Sequence, residues 1–271
     1  MKTLFAGFAL ALALSLSATG ASAAETTLRI TLQLPLKSHL GQNLLLFKDE
    51  VEKNSNGEIT VEIYDSAQLY KDSEVPQAVG SGAIEMGVAS LTRFVGEIPA
   101  VDIFYMPFLF NSDSLVRKAT TKGGPIRGPL DEAILDTGSR VLWWQAYGGA
   151  IMLSKDAPLK TPADIKGKKV RVFGKTLGDF VTAVGGAPTL ISGSEQYIAY
   201  QNGTVDAGMT GVSGVKSRSL WQVMDWITVT NHADIELLLS PCILLVPVDS
   251  SYPACDSAGI HCGADTQTAG D

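Results

Sequence analysis

Residues 161–211 read TPADIKGKKVRVFGKTLGDFVTAVGGAPTLISGSEQYIAYQNGTVDAGMTG, and their order decides the fold. A short polar helix, Thr161-Pro162-Ala163-Asp164, leads through Gly167 into a strand, Lys169-Val170-Arg171-Val172. One arginine sits among apolar strand residues. Burying a guanidinium without a partner costs several kcal/mol. Arg171 therefore either has a protein partner, as a structural ion-pair residue does, or waits for an anion. Its planar fork matches a carboxylate with two parallel hydrogen bonds.

Upstream, strands and helices alternate. Thr27 to Leu34 alternates apolar and polar residues and reads as a strand. From Ser38 to Ser55 the chain reads as a helix, with Leu40, Leu44, Phe47 and Val51 forming one buried stripe. After the Asn56-Gly57 turn, Ile59, Val61 and Ile63 mark a half-buried strand. A short helix is expected at Ser73 to Val79, a strand at Ile84 to Ala89, a helix at Asp131 to Leu135 and a strand at Val141 to Tyr147. Near the end of the pattern, Ile227 to Thr230 reads as one more strand. This alternation predicts an α/β fold with mainly parallel sheets. Gly148-Gly149 ends one strand just before the apolar run Ala150 to Leu153. A glycine pair suits a tight turn or a hinge at a crossing between two lobes. Ligands of such folds sit outside the carboxyl ends of the strands, where Gln33, Ser90 and Arg171 fall.

Bulk properties exclude several function classes. The chain has 271 residues, with 45% hydrophobic and 18% charged, which suffices for a sizeable core. A formal net charge of −7 argues against a nucleic-acid partner. Lys2, the apolar stretch Leu4 to Leu16 and the small residues Ala21-Ser22-Ala23 form a secretory signal, so residues 1–24 are expected to be removed, leaving a charge of −8. No phosphate-cradling glycine motif is present, and none of His39, His232 and His261 belongs to a recognisable catalytic arrangement. The spacing of Cys242, Cys255 and Cys262 fits no zinc site, and a Cys255–Cys262 disulfide would leave one thiol unpaired. No catalytic residue, metal or cofactor is expected.

Four stretches in order, NSNGEITVEIYDSAQLYKD, GAIEMGVASLTRFVGEIPAVDIFYMPFLF, TPADIKGKKVRV and SEQYIAYQNGTVDAG, resemble the DctP-type solute-binding proteins of TRAP transporters, from about Thr27 to about Glu236. The resemblance implies a two-lobed α/β periplasmic-binding architecture with the ligand cleft between the lobes. With residues 1–24 read as the signal peptide, the first lobe is expected at 25–148, the second at 149–236 and an atypical tail at 237–271. It also implies a monomeric periplasmic receptor that is not an enzyme. Such a receptor captures a small organic acid and delivers it to membrane-embedded TRAP permease subunits. A sensing receptor that presents the same lobes to a signalling partner is the alternative.

The resemblance assigns the carboxylate salt bridge to Arg171. It places Gln33 at a polar ligand contact, and Ser90 and Arg93 in a loop facing the cleft, where Arg93 would bring a second positive charge. Thr210 stands where relatives often carry an asparagine that contacts ligand. Phe173 and Tyr147 are aromatic candidates for packing on the ligand's carbon skeleton. Adjacent Trp143 and Trp144 point to opposite sides of one strand, so at most one lines the cleft. Ile151 occupies the place of a further arginine found in some relatives, which argues against sialic-acid-type recognition.

From Leu237 the chain reads LLLSPCILLVPVDSSYPACDSAGIHCGADTQTAGD, with no Lys or Arg and all three cysteines. The family instead continues with another strand and long helices. A truncated or frameshifted end is expected, with an unpaired edge in the first lobe, a sticky run from Leu237 to Val246, and poor folding into a non-functional product.

Overall fold

Two five-stranded sheets organise the chain. The computed structural model describes residues 26–229 except Asn111, Ala146 and Gly148, together with the backbone strand Cys242–Pro247. Residues 1–24, Gly148 of the expected hinge, Thr230, His232, Cys255, Cys262 and the remainder of the tail lie outside the described residues.

In the first lobe, β1 (Thr26–Thr31) is followed by α1 (His39–Asn54), β2 (Ile59–Tyr64), α2 (Val75–Gly80) and β3 (Met86–Ser90). Two 3-10 segments, Leu91–Phe94 and Pro99–Tyr105, lead to α3 (Asp113–Ala119), α4 (Arg127–Asp136) and β4 (Ser139–Gln145). The helix α1 starts where Ser38 caps it, its hydroxyl accepting from the Gly41 N–H at 3.1 Å. Its stripe of Leu40, Leu44 and Val51 packs against Leu28, Ile30 and Leu32 in and just after β1, and Val61 of β2. Each such side chain contributes about 1.5–3 kcal/mol on burial.

The second lobe holds β5 (Ala150–Ser154), β6 (Lys169–Val172), α5 (Lys175–Ala183), β7 (Ala187–Leu190), α6 (Gln196–Gln201), β8 (Ala207–Gly211), α7 (Val212–Ser217) and β9 (Trp226–Thr228). The polar helix before β6 is a 3-10 turn, Pro162–Asp164, closed by a capping box between Thr161 and Asp164.

In each sheet four strands run one way and a single strand runs against them. Strand β1 runs parallel to β2 and β3, and β6 runs parallel to β7 and β8. Strand β5, which follows the crossing from the first lobe, is antiparallel to both β8 and β9. The final strand, β10 (Cys242–Pro247), inserts between β3 and β4, antiparallel to both. Strands that change lobes enter the sheet against its direction, which the alternation of elements alone does not show. The returning strand of the first lobe is thus supplied from inside the segment that looked foreign by composition. Because β10 bonds on both edges, the unpaired edge expected there between β3 and β4 does not arise.

The lobes meet closely. One buried cluster runs from Phe104 and Tyr105 of the first lobe to Phe173 and Leu177 of the second. Tyr105 meets the Phe173 ring edge-on at 6.1 Å. Asp102 accepts from the Thr176 hydroxyl at 2.6 Å, and Lys71 bridges to Glu195 at 2.8 Å.

Candidate functional site

All seven residues singled out from the sequence, Gln33, Ser90, Arg93, Tyr147, Arg171, Phe173 and Thr210, line one cavity between the lobes. Asp72, Gly193, Gln196 and Arg218 complete the lining. Trp143 and Trp144 stay out of it. Trp143 packs on Phe47, and Trp144 packs on Phe104 under the Arg127 guanidinium.

Arg171 lies in β6 with Val170 and Val172 on either side, and it is 2% exposed. Successive strand residues face opposite sides, so the valines fill the lobe's core while the arginine turns toward the cleft. Its Nε donates to the Ile191 carbonyl at 3.0 Å, and its Nη1 to the Met209 carbonyl at 2.5 Å. With the Gln196 amide oriented to put its oxygen toward the guanidinium, Nη1 and Nη2 donate to that oxygen at 2.7 and 3.0 Å. The Phe173 ring lies 5.2 Å from the guanidinium carbon. All these partners are dipoles or a ring face. No carboxylate among the described residues pairs with Arg171. Burial pulls its pKa down to about 10, and the nearby Arg218 and Arg93 push in the same direction. The cation persists at neutral pH but is poorly compensated.

The first lobe presents the opposite situation. Arg93 reaches the cavity, but its Nε donates to Asp72 Oδ2 at 2.5 Å. Asp72 is 1% exposed, and its Oδ1 accepts the Ser90 N–H at 2.8 Å. The second positive charge expected from Arg93 is therefore already matched. Gln33 donates to the Ser90 hydroxyl at 3.3 Å.

Sequence reading missed Arg218. It caps the C-terminal end of α7, and its side chain crosses the cleft. Nη1 donates to the Tyr147 hydroxyl at 3.0 Å and Nη2 to the Gln33 amide oxygen at 3.4 Å, while Nε is buried without a partner. Two glycines make room for this approach. A Cβ on Gly193 would lie 2.5 Å from both Arg218 Nη2 and Gln33 Oε1, and one on Gly214 would lie 2.6 Å from the Tyr147 oxygen. Gln196 was also missed, although it opens an apolar helix inside a stretch already quoted for its resemblance. Ile151 lies in β5, is buried and lines a separate apolar crevice with Met152, Leu177 and Phe180. Among the described residues no cluster of His, Cys, Asp or Glu could hold a metal, and no helix is long and apolar enough to cross a membrane.

Two α/β lobes closing on a cationic, polar cavity define a ligand-binding receptor of the periplasmic-binding type. Residues 32–240 match the family described as bacterial extracellular solute-binding protein, family 7 (DctP), and the chain belongs to that family. It is 31% identical over 232 residues to a C4-dicarboxylate-binding periplasmic protein of Rhodobacter capsulatus, covering 79% of this chain and 68% of that one. It is 27% identical over 194 residues to the 2,3-diketo-L-gulonate-binding periplasmic protein of Escherichia coli, covering 71% of this chain and 58% of that one. A TRAP periplasmic solute-binding protein from Shewanella oneidensis, solved with bound succinate, superposes with a TM-score of 0.79 at 26% identity. That match covers 87% of this chain and 75% of the other. A Polaromonas relative bound to D-erythronate gives 0.78 at 26% identity, covering 86% and 77%.

Proposed function

We propose that this chain is an extracytoplasmic receptor that captures an organic acid between its lobes and delivers it to a TRAP-type permease. It acts by binding and not by catalysis, is exported with loss of residues 1–24, and works in the periplasm as a monomer. The observation that carries the reading is Arg171, a buried cation held by carbonyls, an amide and a ring, with no carboxylate partner among the described residues. A ligand carboxylate supplies the missing counter-charge. The Gln196 oxygen, which spans Nη1 and Nη2, marks the position one carboxylate oxygen takes or shares. Thr210, Ser90 and Gln33 offer hydrogen bonds to the ligand, and Phe173 and Tyr147 cover its carbon skeleton. Relatives whose names include C4-dicarboxylate or diketogulonate support the ligand class.

Titration calorimetry with a panel of organic acids tests this. Arg171→Ala is expected to lose about 2–5 kcal/mol of binding free energy. Arg171→Lys should also bind weakly, since an ammonium cannot reproduce the bidentate fork. Unchanged affinity in Arg171→Ala would sink the assignment.

A further inference from the structure

Among the described residues lining the cavity there are three arginines and one acid. Asp72 is committed to Arg93. Arg171 and Arg218 remain, both facing the same space from the second lobe, each held only by neutral groups. Their proximity follows from a continuous chain of contacts. Gln196 touches both Arg171 and Thr210, and the space that a Gly214 Cβ would fill lies 3.1 Å from the Thr210 hydroxyl and 3.3 Å from Arg218 Nη1. Two like charges in a site shielded from water repel, and a single carboxylate neutralises only one of them. Arg218 also keeps a buried Nε proton with no acceptor, an orphan donor of the kind native structures avoid unless a ligand or water meets it.

We propose that Arg218 is a specificity-determining residue that binds a second anionic group on the ligand, so that the cleft selects diacids over monoacids of matched length. This rests on the reading of Arg171 as the first carboxylate clamp. One end of the ligand meets Arg171, and the far carboxylate accepts from Arg218, including its orphan Nε. The far carboxylate also gains a connection to the first lobe, because Arg218 is bonded to Gln33 and to Tyr147 at the crossing. Occupancy of the second subsite therefore favours the closed arrangement of the lobes as well as the ligand.

Calorimetry on the full chain with length-matched pairs tests the proposal: succinate with monomethyl succinate, glutarate with monomethyl glutarate, and glucarate with gluconate. The best-bound acid should be a diacid, preferred at least about tenfold over its monoacid partner. Arg218→Gln should collapse that preference to within about threefold, mainly by weakening the diacid, while Arg171→Gln weakens both members of the pair. Arg218→Lys, which keeps a point charge, should retain part of the preference and serves if the Gln variant misfolds. A wild-type protein that binds a monoacid as well as its diacid, or an Arg218→Gln variant that weakens both equally, overturns the role of Arg218. In either case the receptor reading survives, provided binding still requires Arg171. If none of these acids binds, both readings fall.

Discussion

The two walls of the cleft carry similar residues in opposite electrostatic states. On the first lobe Arg93 is paired with Asp72, which is itself held by the Ser90 N–H. On the second lobe Arg171 and Arg218 have only neutral partners. An arginine count would treat the walls alike, whereas the distribution of counter-charge separates a structural ion pair from an anion site. A buried pair with its lone pairs and protons satisfied holds a wall in shape. A buried cation without an anion is costly in the empty protein and is relieved by ligand. The first wall is therefore read as scaffold and the second as the surface that draws the acid in.

Breaking the scaffold pair should have the largest effect, and on stability. Asp72→Asn leaves Arg93 buried and unmatched, and a thermal melt should register a loss of about 3–5 kcal/mol. A melt within experimental error of wild type would show that the pair is not structural. The next effect falls on closure. Gly193→Ala puts a Cβ 2.5 Å from the Arg218 and Gln33 side-chain tips, which are flexible enough to move aside. Folding should persist while ligand affinity falls by about 1–3 kcal/mol, read by calorimetry.

A smaller effect is expected at the cleft mouth. Lys71 and Glu195 join the lobes, but both side chains are nearly half exposed, at 48% and 49%. Lys71→Ala should change affinity less than about threefold, and the change should vanish in high salt. The smallest effect is that of pH. The Arg171 cation has its pKa lowered by burial to about 10, so it is charged throughout the neutral range. A bound carboxylate favours the cation and raises that value again. Affinity should stay level between about pH 6 and 8, and weaken only as pH rises through the lowered value. A steep change between pH 6 and 8 in calorimetric titrations would point to a histidine or carboxyl group in control.

Much of this was legible in the sequence, for definable reasons. Helix α1 and strands β1 and β2 follow from the periodicity of Leu40, Leu44 and Val51 and of Ile59, Val61 and Ile63, because local spacing decides which face is buried. Arg171 was legible because a charge inside a four-residue strand is conspicuous. Arg218 was not, since it sits in the polar stretch VKSRS at the end of α7, and only tertiary packing swings it across the cleft to Gln33, 185 residues away. The Asp72–Arg93 pair was hidden for the same reason: nothing local joins residues 21 apart. Strand β10 misled by composition. A strand between two others can read as an unbroken apolar run, and Cys242-Ile243-Leu244-Leu245-Val246 looked like an aggregation-prone tail.

The difference between the walls is open to a single paired measurement. Titration calorimetry of the best-bound acid on Arg171→Gln should be set beside the same titration on the double variant Asp72→Asn/Arg93→Gln, which neutralises both members of the scaffold pair and leaves no buried charge unmatched. Arg171→Gln is expected to lose more than about thirtyfold in affinity, and the double variant to stay within about fivefold of wild type. Equal losses in the two proteins, or a greater loss in the double variant, would contradict the assignment of anion capture to the second lobe.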